Sequence, residues 1–134
     1  MTLENQTRSD ITGEQDIRQL VDSFYEGIRS DSLLGPIFNE RVEDWSKHLS
    51  TMYAFWNSLL FGATQYKGNP FAKHMDLPVD KPHFDRWLEL FLATVDRLFE
   101  GPKADQAKGA AKSIAHSFQV RMGISPFGDD GRFF

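Results

Sequence analysis

Apolar residues recur at three- and four-residue spacing in four long stretches of this chain, the pattern of helices that bury one face. Ile17, Leu20, Val21, Phe24 and Ile28 make the first stripe, which ends near Ser30. Ahead of it Thr12-Gly13-Glu14-Gln15 has the spacing of a capping box. Tyr25 lies four residues beyond Val21, so this helix can carry a phenol on the border of its buried stripe. The run Leu33-Leu34-Gly35-Pro36-Ile37-Phe38 is too broken for a long helix and predicts a helical turn that delivers Ile37 and Phe38 inward.

A second long stripe, from about Val42 to Phe61, contains Trp45, Leu49, Met52, Trp56 and Leu59, widened by Phe55 and Leu60, with Gly62 placed to end the helix. It predicts a deeply buried helix. Pro82 suits a first helical turn, and Phe84, Trp87, Leu88, Phe91, Val95, Leu98 and Phe99 follow at helical spacing until Gly101-Pro102. A last helix over about Ala104–Met122 uses Ala107, Ala111, Ile114, Ala115 and Phe118. Between the second and third stripes lies a long connection, 62–82, whose helical candidate is a short piece around Phe71–Met75. Connections of that length in compact domains usually serve function, which gives weight to its histidine, His74. With no period-two strand and no repeat, the fold class is all-α: a flexible start over 1–11, one helical domain over 12–122, and a loose tail over 123–134.

Composition sharpens this picture in two places. Twelve Phe, three Trp and three Tyr in 134 residues are more aromatic surface than a chain of this size ordinarily carries, so the rings fill an aromatic core or line a pocket for a large flat ligand. There is no cysteine, which excludes disulfides, thiolate catalysis, iron–sulfur clusters and cysteine-held zinc; a metal would need His, Met, Tyr or carboxylates. A net charge of -4 gives no reason to expect nucleic acid as a partner. No apolar run reaches membrane-spanning length, and Met1–Asp10 lacks the features of a signal peptide, so a cytoplasmic protein with no membrane partner is expected.

Phosphate loops, His-Glu-x-x-His, Gly-x-Ser-x-Gly and dinucleotide fingerprints are all missing, which leaves the four histidines 48, 74, 83 and 116. His48 shares the apolar stripe of its helix, three residues after Trp45 and four before Met52; a core histidine with an ordinary hydrogen bond fits it as well as a functional one. His83 and His116 lie on helices with no partner to name. Tyr25, His48 and Trp87, however, each put a hydrogen-bonding group on or beside a buried stripe of a different helix. Three polar tips inside one aromatic core suggest a pocket, and a haem would use every part of it: flat area for the rings, one axial imidazole, and donors for a diatomic ligand.

Several segments then carry a family resemblance, in order and at matching separations. They are Phe24-Tyr25, Leu34-Gly35-Pro36-Ile37-Phe38-Asn39, His48 with Ala54-Phe55-Trp56, His74-Met75-Asp76-Leu77-Pro78, and His83-Phe84-Asp85-Arg86-Trp87-Leu88. Over roughly 12–122 the chain resembles the truncated, two-on-two haemoglobins, specifically their group III, and its lack of a Gly-Gly pair agrees with that group. The resemblance implies a two-on-two helical sandwich around haem b, with His74 as the proximal ligand of the iron and a sixth position open to oxygen, NO or CO. Tyr25 and Trp87 would donate hydrogen bonds to bound oxygen, and His48 would act as a gate or a third polar contact. Phe38, Met52, Trp56, Met75, Leu77 and Phe84 would pack on the haem, the two methionines serving equally well as core filler. Lys73 and Arg86 would pair with its propionates.

Donors preorganised in a dry pocket favour bound oxygen over neutral CO, so oxygen should leave slowly. That points to redox chemistry with a reductase as partner (nitric oxide dioxygenase or peroxidase-like activity) or to oxygen binding and sensing, rather than to bulk oxygen transport. The alternative is a haem-free helical interaction module that uses Phe127, Phe133 and Phe134 as a docking tail.

Overall fold

The computed structural model describes residues 8–62 and 79–123, which form five helices and, among the described residues, no strand. In chain order they are α1 (Glu14–Ser30), α2 (Gly35–Arg41), α3 (Trp45–Phe61), α4 (Lys81–Leu98) and α5 (Pro102–Arg121). The all-α expectation holds, and each of the four long stripes is a helix. α1 packs on α2, α3 and α4; α4 packs along α5, and α5 also meets α3. The core where these helices meet is closed: Ile17, Leu20 and Ile28 of α1 and Phe91 and Val95 of α4 are all 0% exposed. The small stripe Ala104, Ala107 and Ala111 lets α5 approach that core closely.

The helix starts depart from the sequence reading in instructive ways. α1 begins at Glu14 with Gly13 as its N-cap, and Gln15 takes no part in a box. Instead the backbone N–H and hydroxyl of Thr12 both donate to the Asp16 carboxylate, at 2.9 and 3.0 Å. A carboxylate accepting two bonds outcompetes a neutral amide, so the reciprocal contact moves one residue along. α3 starts later than its apolar pattern, at Trp45, because the Asp44 side chain accepts from Lys47 N at 3.2 Å and fixes the first turn there. Gly62 ends α3 in the left-handed conformation, as its position predicts.

Two carboxylates tie distant segments together. Asp10 accepts the backbone N–H groups of Lys103 and Ala104, at 2.9 and 2.8 Å, and so caps α5 from the opposite end of the chain. A Cβ on Gly101 would stand 2.5 Å from Asp10 Cγ, and φ there is +148, so the close approach and the backbone both demand glycine. Asp31 accepts from Leu33 N, Leu34 N and Arg86 Nε, the last at 2.7 Å, which fastens the α1–α2 junction to α4. Burial pushes both carboxyls up, but the converging donors outweigh it and hold each below the ordinary carboxylate range.

Candidate functional site

The predicted deep burial of α3 is corrected by the structure: only Trp56 and Leu60 of that helix are buried, while Leu49, Met52, Phe55 and Leu59 stay half-buried. The cause is a cavity. About 1070 Å³ of space, counting the part open to solvent, lies among α1, α3, α4 and α5, and Met52, Phe55, Trp56 and Leu59 form its α3 wall. Phe24 and Tyr25 come from α1, Leu34 and Phe38 from α2 and its approach, and Ile114, Ala115 and Phe118 from α5. Val79, His83, Phe84 and Trp87 complete it at the start of α4.

Stacked rings back this wall. Phe91 lies between Trp56, at 4.9 Å and 17°, and Trp87, at 6.0 Å and 10°, while Phe24 meets Phe91 and Trp87 edge-on. Offset stacks and T-shaped pairs are the favourable ring geometries, so the aromatic side of the cavity is held rigid. Among the described residues, the polar side-chain groups on the lining are few: the Tyr25 hydroxyl, the His83 imidazole and the indole N–H groups of Trp56 and Trp87.

Tyr25 is 6% exposed, and its ring touches Phe24, Phe38, Trp45 and His48. Burial alone pushes its phenol far above the ordinary tyrosine value, so it remains a protonated donor throughout the physiological range. Neither its hydroxyl nor the Trp87 indole N–H has a hydrogen-bond partner among the described residues. A buried phenol and a half-buried indole N–H left over at the wall of an apolar cavity suit an acceptor brought in by a ligand.

Of the residues singled out from sequence, Tyr25, Phe38, Met52, Trp56, Phe84 and Trp87 are brought together on the lining. His48 stands one ring further out, 5.0 Å from Tyr25 and 5.5 Å from Trp45 in T-shaped contacts, with Nε2 closed off from solvent. Arg86 is engaged by Asp31 and Glu89 and does not border the cavity. Lys73, His74, Met75 and Leu77 lie outside the described residues, as does the tail with Phe127, Phe133 and Phe134.

Sequence reasoning passed over His83, which lines the cavity and closes a capping box with Asp80. Its signal was legible in the spacing Asp80-Lys81-Pro82-His83, an N-cap residue followed three positions later by a side chain able to reach back.

An apolar, aromatic-lined cavity with a few donors is the kind of site that fits a haem. Comparison with known proteins agrees. The bacterial-like globin family profile matches residues 9–120. The group 3 truncated hemoglobin ctb of Campylobacter jejuni is 34% identical over 111 residues, covering 79% of this chain and 87% of that protein. The crystal structure of the group III truncated hemoglobin from Campylobacter jejuni superposes with a TM-score of 0.81 at 30% identity, covering 92% of this chain and 99% of that one. The truncated oxygen-avid haemoglobin from Bacillus subtilis superposes with a TM-score of 0.70 at 29% identity, over 79% of this chain and 92% of that one. A closed helical core, an aromatic cavity with donors at its wall, and a family match spanning nearly all described residues lead to one assignment: the chain belongs to the bacterial-like globin family, as a haem-binding truncated haemoglobin of group III.

Proposed function

We propose that the cavity receives haem b, that His74 holds the iron from the proximal side, and that Tyr25 and Trp87 serve diatomic ligands on the other. The observation that carries this reading is a pair of donors, the Tyr25 hydroxyl and the Trp87 N–H, that have no partner among the described residues and stand on a mostly apolar wall. Haem supplies the iron that binds oxygen, NO or CO; the chain's part is to exclude water and aim hydrogen bonds. The Tyr25 hydroxyl and Trp87 N–H favour a ligand that carries partial negative charge, as oxygen on ferrous iron does, over neutral CO. Phe38, Met52, Trp56 and Phe84 offer the apolar contact that a flat macrocycle needs. His48, against Tyr25, is assigned to gating ligand entry.

Tight oxygen retention suits redox work on nitric oxide or peroxide, or sensing, better than transport, and the name of the oxygen-avid relative supports that direction. A cytoplasmic setting and an external reductase belong to the same reading.

Titration of haem into the haem-free protein tests it. A strong Soret band that saturates at one equivalent is expected, with tight binding lost in His74→Gly and the spectrum restored by added imidazole. If no Soret complex forms, the chain works as a haem-free helical module; if His74→Gly keeps an unchanged ferrous spectrum, another residue holds the iron.

A further inference from the structure

His83 borders the cavity at the start of α4, and one of its two ring nitrogens is already in use. Nδ1 accepts the backbone N–H of Asp80 at 2.9 Å, closing the capping box. A ring nitrogen that accepts carries no proton, so the cap fixes the tautomer and leaves Nε2–H as the donor the imidazole can offer. The cations flanking it are committed elsewhere: Lys81 Nζ pairs with Asp85 at 2.8 Å, and Arg86 with Asp31 and Glu89. Tyr25, the other strong donor on the lining, is too deeply buried for an ionised group, whose desolvation there would cost several kcal/mol by the usual order of magnitude. His83 is half-buried, at a depth where an anion keeps part of its hydration.

From this we infer that His83 Nε2–H receives a carboxylate of the ligand in the cavity, the acidic edge of a tetrapyrrole whose apolar face lies on the aromatic wall. The inference rests on the reading that the cavity takes a porphyrin, and it assigns the acid-binding role to a residue other than Lys73 or Arg86. A carboxylate accepting from a fixed donor forms a charge-assisted bond, stronger than a neutral one. The cap supplies the fixing, since the ring cannot turn without breaking its bond to Asp80 N.

The test uses substitutions that keep the cap. Glutamate and glutamine are the usual reciprocal residues of a capping box, so His83→Glu and His83→Gln both preserve an acceptor for Asp80 N–H. Glutamine retains a neutral donor, whereas glutamate sets a negative charge against the ligand's acid. The full chain is titrated with iron-free protoporphyrin IX and with its dimethyl ester, read by quenching of tryptophan fluorescence; without iron, His74 ligation plays no part. The diacid is expected to bind His83→Glu about tenfold or more weakly than the wild type and His83→Gln within about threefold, while the ester distinguishes the three proteins by less than about threefold. Equal losses for diacid and ester in His83→Glu would overturn the acid-binding role and leave the porphyrin reading standing. Failure of the wild type to bind either porphyrin would overturn both.

Discussion

Two walls of this molecule are built from the same kinds of residue and end in opposite states. Where α1 meets α4, Ile17, Leu20, Phe91 and Val95 are completely enclosed by other side chains. Along α3, Met52, Phe55 and Leu59 carry equally apolar side chains at helical spacing and remain half-buried beside the cavity. The first wall satisfies itself; the second leaves apolar area that no other described residue covers, at about 25 cal/mol for each Å² left uncovered. A chain that keeps such a wall in place has a ligand to cover it, and a ligand that binds only the folded state adds its binding energy to stability.

The largest effect that could break this comparison is in the closed wall. Phe91→Ala removes a ring sandwiched between Trp56 and Trp87 and is expected to cost about 3–5 kcal/mol in urea unfolding. Leu59→Ala in the haem-free protein, truncating a half-buried side chain on the cavity lining, should cost less than about 1.5 kcal/mol. Equal losses at the two positions would mean that the α3 wall is packed after all.

Next come the carboxylate ties. Asp10→Ala removes the cap on α5 and should cost about 1–2 kcal/mol. Because Asp10 and Asp31 are both held below the ordinary carboxylate value, the stability they lend is fully present above an unfolded pKa of about 3.9 and is lost as pH falls through it toward their folded values. Urea midpoints should therefore drop between about pH 5 and pH 3 in the wild type, and drop less in the double variant Asp10→Asn, Asp31→Asn. Parallel pH profiles would show that other groups carry the acid loss.

The smallest stability effect belongs to the cavity wall. Tyr25→Phe removes a hydroxyl that has no partner among the described residues, so its unfolding energy in the haem-free protein should stay within about 1 kcal/mol of the wild type. A larger loss would show that the phenol holds the fold together rather than waiting for a ligand.

The helical stripes were legible because burying one face of a helix imposes a period that the chain cannot hide, and Ile17, Leu20 and Phe24 or Phe91 and Val95 show it plainly. Periodicity does not say what an apolar face is buried against. Met52 and Leu59 follow the same rule as the core residues, and only the three-dimensional arrangement separates facing a neighbour from facing a cavity. Tyr25 and Trp87 could be picked out because a polar tip beside an apolar stripe is conspicuous in one dimension. Asp10 could not: its partners, Lys103 and Ala104, lie at the other end of the chain, and no local pattern marks a cap supplied from that distance. Thr12 pairs with Asp16 rather than with Gln15, the residue that capping-box spacing points to, because spacing carries no information about the charge one position further on.

Ligand release from the ferrous haem complex tests most directly the claim that the open wall serves an electron-rich diatomic ligand. Stopped-flow dissociation of oxygen and of CO is compared for wild type, Tyr25→Phe and Trp87→Phe. A hydrogen bond to a charged acceptor is worth about 1.5–3 kcal/mol, so each substitution should speed oxygen release by roughly ten- to hundredfold while CO release changes far less. Equal acceleration of both ligands would show that the rings act by bulk alone and would contradict the account.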